Sequence, residues 1–151
     1  MATVRTPRAK INLAAIEHNI KVLRETAGVP VLAVVKADGY GHGAVPVALA
    51  AKDAGAEWLG VAFLDEALEL RNNGVPGRIL VWLLNEKENF EEAFDQDIDL
   101  SVSSIAMAMK IDELAKVRHM RANLHVEVDT GLSRAGVSIS DYSNFFKELA
   151  K

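Results

Sequence analysis

One lysine ends an apolar, β-branched run and is followed at once by glycines that alternate with a tyrosine and a histidine, in the stretch AVVKADGYGHGA. Lys36 lies beside Val34 and Val35, and burial there would favour the neutral amine, which attacks an aldehyde to form a Schiff base. The glycines would let the backbone approach a bulky ligand, and the Tyr40 hydroxyl could reach a phosphate. The alternative is a lysine whose amine extends into water and glycines that only form turns.

A second stretch, ANLHVEVDTGLSRAG, also combines residues that could do chemistry. His125, Glu127 and Asp129 alternate with apolar residues, so the three polar side chains share one face of a strand. If that face is buried, its charges require a cation, and Arg134 is the natural candidate. The alternative is an edge strand with its polar face and its arginine in water. His125 and Glu127 resemble a pair of metal ligands, but no third ligand follows at a useful spacing, so we expect no metal.

Buried strands and amphipathic helices must position these residues, and they alternate along the whole chain. The predicted strands are 29–35, 58–63, 78–84, 98–104 and 122–129, after a short strand-like entry at 8–13. The predicted helices are 14–27, 43–56, 64–73, 86–96 and 105–117, with a further one after Ser140. Gly28 is expected to end the first helix, Pro46 to lie in the first turn of the second, and the serines before residue 105 to cap the fifth.

This alternation predicts an α/β fold with a parallel sheet, either an open doubly wound sheet or a (β/α)8 barrel of the TIM type. Counted from the apolar residues near 31, 58, 79, 100 and 122 with which these strands begin, the strands recur about every 21 to 27 residues, and this period alone does not choose between the two. A barrel takes about 250 residues, so residues 1–151 hold about five of its eight βα units. In either fold the carboxyl ends of the strands form the catalytic face, where Lys36 would lie.

The composition fits one globular domain, with 151 residues of which 50% are apolar and 25% charged. No apolar run approaches the roughly 20 residues that span a bilayer, and the first residues lack the apolar segment of a signal peptide. We therefore expect a cytoplasmic protein with no membrane partner. The chain has no cysteine, which removes disulfides and cysteine nucleophiles. A net charge of −4, with scattered basic residues, argues against nucleic acid.

The stretch AVVKADGYGHGA resembles the cofactor-lysine motif of the alanine racemases, which are fold-type III enzymes that use pyridoxal 5′-phosphate (PLP). The resemblance implies that Lys36 forms the Schiff base with PLP and moves the α-proton on the D-alanine side. It implies that Tyr40 hydrogen-bonds the cofactor phosphate. Val34 and Trp82 would line the pocket, although Trp82 equally suits a core or rim position. The role of His42 stays open, with loop or helix capping favoured.

The stretch DTGLSRAG is similar to the racemase loop whose arginine contacts the substrate carboxylate and the phenolic oxygen of PLP, which assigns those contacts to Arg134. Its planar fork of donors suits both targets. The chain departs from the family seven residues earlier, where many members carry a lysine that becomes carbamylated and this sequence has Glu127. We expect the glutamate carboxylate to supply the same charge and to orient Arg134 directly.

The resemblance starts at RAKINLAAIEHN and covers nearly the whole chain, but racemases of this family are more than twice as long. It implies a homodimeric isomerase that interconverts L-alanine and D-alanine for peptidoglycan synthesis. The C-terminal β-domain is absent from these 151 residues, and with it the tyrosine that acts as second base from the partner subunit.

An incomplete barrel leaves strand edges and apolar faces exposed, so we expect the chain alone to be unstable or to need its complementary C-terminal part. Two functional hypotheses follow. In the first, the chain is part of a racemase and is inactive or incomplete alone. In the second, it is a stand-alone PLP-binding or interaction module without racemase turnover. The motif does not distinguish alanine from serine or from broad substrate specificity.

Overall fold

The computed structural model describes residues 7–150 and contains one sheet of five parallel strands in the order β1-β2-β3-β4-β5. The strands are β1 (Leu32–Val34), β2 (Trp58–Val61), β3 (Arg78–Val81), β4 (Ile98–Val102) and β5 (Leu124–Val126). Each strand pairs in parallel with the next along the chain. A doubly wound sheet would reverse its order at a switch point. The unreversed order is that of consecutive units of a (β/α)8 barrel.

Helices precede the first strand, connect the strands and follow the last one. They are α1 (Leu13–Ala27), α2 (Lys36–Gly41), α3 (Ala44–Asp53), α4 (Leu64–Asn72), α5 (Phe90–Asp95), α6 (Ile105–Val117) and α7 (Tyr142–Leu149). Gly28 ends α1 in a left-handed conformation, and the side chain of Ser104 caps α6 by accepting a hydrogen bond from the Met107 N–H at 3.2 Å. Both ends confirm the sequence-based prediction, as does the position of Pro46 in the first turn of α3.

Two predicted elements differ in the structure. Residues 8–12 form no strand, because the Asn12 side chain accepts a hydrogen bond from the Ala15 N–H at 3.3 Å and so caps α1. The predicted helix 86–96 begins only at Phe90, because Asn85 accepts a hydrogen bond from the Lys87 N–H at 2.7 Å and holds a turn there. The predicted strands are also several residues too long, since apolar residues continue past the point where the ladder ends.

The two faces of the sheet have different environments. One face packs against helices and forms the core, which includes Leu59, Val61, Ile79, Val81, Leu100 and Val102 from the strands and Ala67, Leu70, Ala93 and Ile111 from the helices. The alternate residues form the other face, which carries Val34, Trp82, Asp99, His125 and Glu127. In a barrel this second face points inward. None of the helices in 7–150 is long and apolar enough to cross a membrane.

Candidate functional site

Lys36 lies immediately beyond β1, at the carboxyl end of the sheet, and begins the short element α2. The four residues that follow it have left-handed dihedral angles, with φ between 52° and 60° from Ala37 to Tyr40. Three of these residues are not glycine, and the left-handed conformation costs an L-residue about 1–2 kcal/mol. The turn that presents Lys36 and Tyr40 is therefore strained and needs support.

Local hydrogen bonds provide part of that support. The Oδ1 atom of Asp38 accepts a bond from the Ala44 N–H at 2.8 Å, at the start of α3. The Nδ1 atom of His42 lies 2.9 Å from the carbonyl oxygens of both Gly39 and Tyr40. Because both neighbours are acceptors, Nδ1 must carry the proton. His42 thus braces the turn, which is the loop role favoured from its sequence position.

Arg134 is carried by a loop whose two ends are tied together. Val128 and Val137 form a parallel bridge, in which the Val137 N–H donates to the Glu127 carbonyl at 2.8 Å and the Asp129 N–H donates to the Val137 carbonyl at 2.9 Å. Gly136 has φ of 100°, and a Cβ there would lie 2.6 Å from the Asp129 nitrogen. Only glycine allows this close approach of the two ends of the loop.

The side chain of Asp129 also folds this loop. Its Oδ1 atom accepts hydrogen bonds from the Gly131 N–H at 2.9 Å and from the Ser133 N–H at 3.0 Å. These bonds hold the pKa of Asp129 below its usual value because they stabilise the ionised carboxylate. The bond from Ser133 has the larger effect. Asp129 is therefore a loop anchor, whereas its alternation with His125 and Glu127 predicted only a shared face.

A cavity of about 610 Å³ opens at the carboxyl end of the sheet. Its lining includes all six residues predicted for the site, which are Val34, Lys36, Tyr40, Trp82, Glu127 and Arg134. Ala62, Leu83 and Ala135 complete the lining. Its size lies within the range typical of sites for small molecules and cofactors. The structure thus brings together an amine, a phenol, a guanidinium, a carboxylate and an indole from three βα units, and Ala62 comes from a fourth unit.

Trp82 lies across the inner face of the sheet because β2 has a glycine beneath it. A Cβ at Gly60 would lie 2.4 Å from Cη2 of Trp82 and 2.7 Å from Cδ2 of Leu32. No real side chain tolerates contacts this short, so the ring occupies the space that Gly60 leaves free. Trp82 thereby forms a wall of the cavity.

Glu127 and Arg134 line the same cavity, but within residues 7–150 no ion pair joins them. Glu127 is half-buried and the Arg134 side chain is exposed. The expectation that Arg134 neutralises the inward carboxylates is therefore not met in this structure. Strand alternation places residues on a face, but whether two side chains meet depends on the path of the loop that follows the strand.

The ion pair on the inner face involves residues that the sequence analysis missed. Asp99 is 1% exposed, and its Oδ2 atom lies 2.9 Å from Nη2 of Arg78 and 3.3 Å from Nε2 of His125. The Arg78 guanidinium stacks over Trp58 at 3.9 Å, and Trp58 meets the His125 ring edge-on at 5.0 Å. The sequence signal for this pair is the alternation in β4, which puts Asp99 on the inner face of the sheet. The neighbouring strand β3 begins with a basic residue, Arg78.

Comparison with known proteins identifies the family. Residues 11–151 match the family described as "Alanine racemase, N-terminal domain". The alanine racemase of Salinispora arenicola is 44% identical over 142 residues, which cover 94% of this chain and 38% of the relative. The alanine racemase of Mycolicibacterium smegmatis is 46% identical over 151 residues, which cover 99% of this chain and 39% of the relative.

The solved structure of alanine racemase from Streptomyces coelicolor superposes with a TM-score of 0.88 at 40% identity, over 93% of this chain and 38% of that chain. The chain thus spans less than two fifths of the length of the relatives that it matches. These matches agree with the five consecutive βα units. The chain therefore belongs to the alanine racemase family and corresponds to the N-terminal barrel portion of those enzymes.

Proposed function

We propose that this chain is the PLP-binding portion of an alanine racemase and that it interconverts L-alanine and D-alanine together with a complementary C-terminal portion. The observation that carries the proposal is the cavity that brings Lys36, Tyr40 and Arg134 to one end of the sheet. In the relatives, which are named alanine racemases, the matched region is the N-terminal domain. D-alanine for peptidoglycan is the product that we expect.

The residues of the cavity suit PLP by their chemistry. The Lys36 amine is the group that reacts with an aldehyde, and the Tyr40 hydroxyl can donate to a phosphate. Arg134 offers several N–H donors for a phenolic oxygen or for the carboxylate of an amino acid. Val34, Ala62 and the Trp82 ring supply apolar surface for a flat heterocycle.

When bound, PLP supplies an electron sink that makes the α-proton of an amino acid acidic enough to remove. The Nζ atom of Lys36 accepts or returns that proton on the D-alanine side. Arg134 orients the substrate carboxylate, and Glu127 lines the same cavity without pairing with Arg134 in this structure.

The edges of the sheet explain why a complementary portion is needed. β1 and β5 are the two outer strands, so each has one side without a strand partner in the described part of the chain. Unpaired strand edges bind other strands readily. We propose that the C-terminal portion pairs with both edges, closes the barrel and supplies the second base, which the resemblance to the alanine racemases assigns to that portion.

Cofactor binding is tested by adding PLP to the full chain, trapping the product with borohydride and locating it by peptide mass. We expect a stable adduct on Lys36 that Lys36→Ala abolishes. Lys21→Ala is the matched control, since Lys21 is exposed on α1, away from the cavity. An adduct spread over several surface lysines, or one that survives Lys36→Ala, would refute the assignment.

Racemase activity is tested by measuring L-to-D alanine exchange with the chain alone and with the remaining C-terminal part of the Streptomyces coelicolor racemase. We expect turnover only with both parts present, and none with Lys36→Ala. PLP capture without turnover in the mixture would instead indicate a stand-alone PLP-binding module. Serine in place of alanine measures the substrate range in the same assay.

A further inference from the structure

The backbone directly after Lys36 is held by a carboxylate from another βα unit. The Ala37 N–H donates to Oε1 of Glu66 at 2.6 Å, across 29 residues of sequence. The other oxygen, Oε2, accepts hydrogen bonds from the Ala62 N–H at 2.7 Å and the Phe63 N–H at 3.1 Å. We propose that Glu66 is a positioning residue that fixes the direction in which Lys36 presents its amine to PLP. This inference rests on the proposed function.

The turn needs such an anchor because its own geometry is unfavourable. Ala37 is the first of the left-handed residues, with φ of 52° and ψ of 54°. The bonds made by Asp38 and His42 support the later part of the turn and are local in sequence. Glu66 acts at the first strained residue, next to Lys36, and its helix α4 is part of the packed core through Ala67 and Leu70. A rigid element thus determines where the strained turn begins.

The same carboxylate aligns two strand ends. Ala62 and Phe63 follow β2, and Ala62 lines the cavity. Glu66 therefore joins the loop after β1 to the loop after β2 at the carboxyl end of the sheet, where the cavity lies. Hydrogen bonds to an ionised acceptor are the stronger kind, at about 1.5–3 kcal/mol each. The Glu66 carboxylate thus extends the link between the two strand ends beyond the backbone bond from the Val35 N–H to the Gly60 carbonyl at 2.8 Å.

An amide cannot replace this carboxylate. Donors face both oxygens, so the NH₂ group of a glutamine would oppose an N–H in either orientation. Two N–H groups face Oε2 and one faces Oε1, so the amide oxygen of Glu66→Gln is expected to face Ala62 and Phe63, and its NH₂ group then releases the turn after Lys36. Glu69→Gln is the matched control, because Glu69 lies on the same helix, has the same charge and is exposed.

The experiment compares both variants with the parent chain by two readouts. Without cofactor, hydrogen exchange measured by NMR reports the Ala37 amide, which we expect to lose protection in Glu66→Gln only. With PLP, titration reports the affinity of Lys36 for PLP, which we expect to fall about tenfold in Glu66→Gln. Loss of protection with unchanged PLP affinity would overturn the positioning role, and so would unchanged protection.

A second variant covers the case in which Glu66→Gln fails to fold. Replacing the Ala37 amide by an ester removes only the N–H that reaches Glu66 and keeps the bonds to Ala62 and Phe63. We expect the same drop in PLP affinity, and an ester variant that binds PLP like the parent overturns the inference. If the parent itself captures no PLP, the proposed function fails, whereas the exchange of the Ala37 amide still decides whether Glu66 holds the turn.

Discussion

The Nη2 atom of Arg78 lies 2.9 Å from Oδ2 of Asp99, and the two side chains differ greatly in exposure, at 51% and 2%. The Nε atom of Arg78 makes a second hydrogen bond to the same oxygen at 3.1 Å. A buried carboxylate is tolerated only when it is paired. The arginine at the start of β3 therefore allows β4 to carry an acid on the inner face of the sheet.

Removing the cation should destabilise the fold. We expect Arg78→Met to lower the free energy of unfolding by about 1–3 kcal/mol, because Asp99 keeps only His125 as a partner. Urea unfolding measures the change, with Arg121→Met at an exposed arginine as control. The double variant Arg78→Met with Asp99→Leu should regain most of the loss. A double variant as unstable as the single one would show that the ion pair is not the cause.

Filling the space under Trp82 should displace the ring. We expect Gly60→Ala to cost about 1–3 kcal/mol in unfolding free energy, because its Cβ would lie 2.4 Å from the indole. The same substitution in a Trp82→Leu background should cost clearly less, and urea unfolding of the four proteins gives the coupling. Strictly additive effects would contradict the contact between the two positions.

Asp129 should titrate below the range of an ordinary aspartate. The hydrogen bonds from Ser133 and Gly131 lower the pKa of Asp129 in the folded chain. The ionised carboxylate therefore stabilises the loop fully above the pKa of an unfolded aspartate, about 3.9. This stabilisation is lost as the pH falls through the lower pKa of the folded chain. NMR titration of the Gly131 and Ser133 amide protons measures the midpoint. In Asp129→Asn these signals should stay constant with pH, since the amide oxygen can still accept both bonds. A midpoint at or above about 3.9 would contradict the geometry.

Glu88 should behave in the opposite way. Burial raises its pKa, the charge of Asp65 raises it further, and its Oε2 atom is buried with no hydrogen-bond partner in the described residues. Ionised Glu88 therefore destabilises the fold above its folded pKa, and this penalty disappears as pH falls through that value. We expect Glu88→Gln to stabilise the chain at neutral pH by less than about 1 kcal/mol, and not in acid. Glu86→Gln, at an exposed glutamate of the same turn, should show no such pH dependence.

Much of the fold could be predicted from the sequence, because local patterns dictate it. The alternation of β-branched runs with amphipathic runs predicted five parallel strands but not their order in the sheet, and Gly28, Pro46 and Ser104 marked helix ends through their own local chemistry. The motif around Lys36 pointed to the family. These signals depend on residues that are close together in the chain, so they can be recognised without a structure.

The tertiary structure alone decided which side chains meet. The pairing of Asp99 with Arg78, the place of Trp82 over Gly60 and the bond from Ala37 to Glu66 each join residues that are 21 or more positions apart. Such contacts depend on strand register and on the paths of loops, which fix distances between elements. The residue pattern determines which face a side chain occupies, and packing determines its partner.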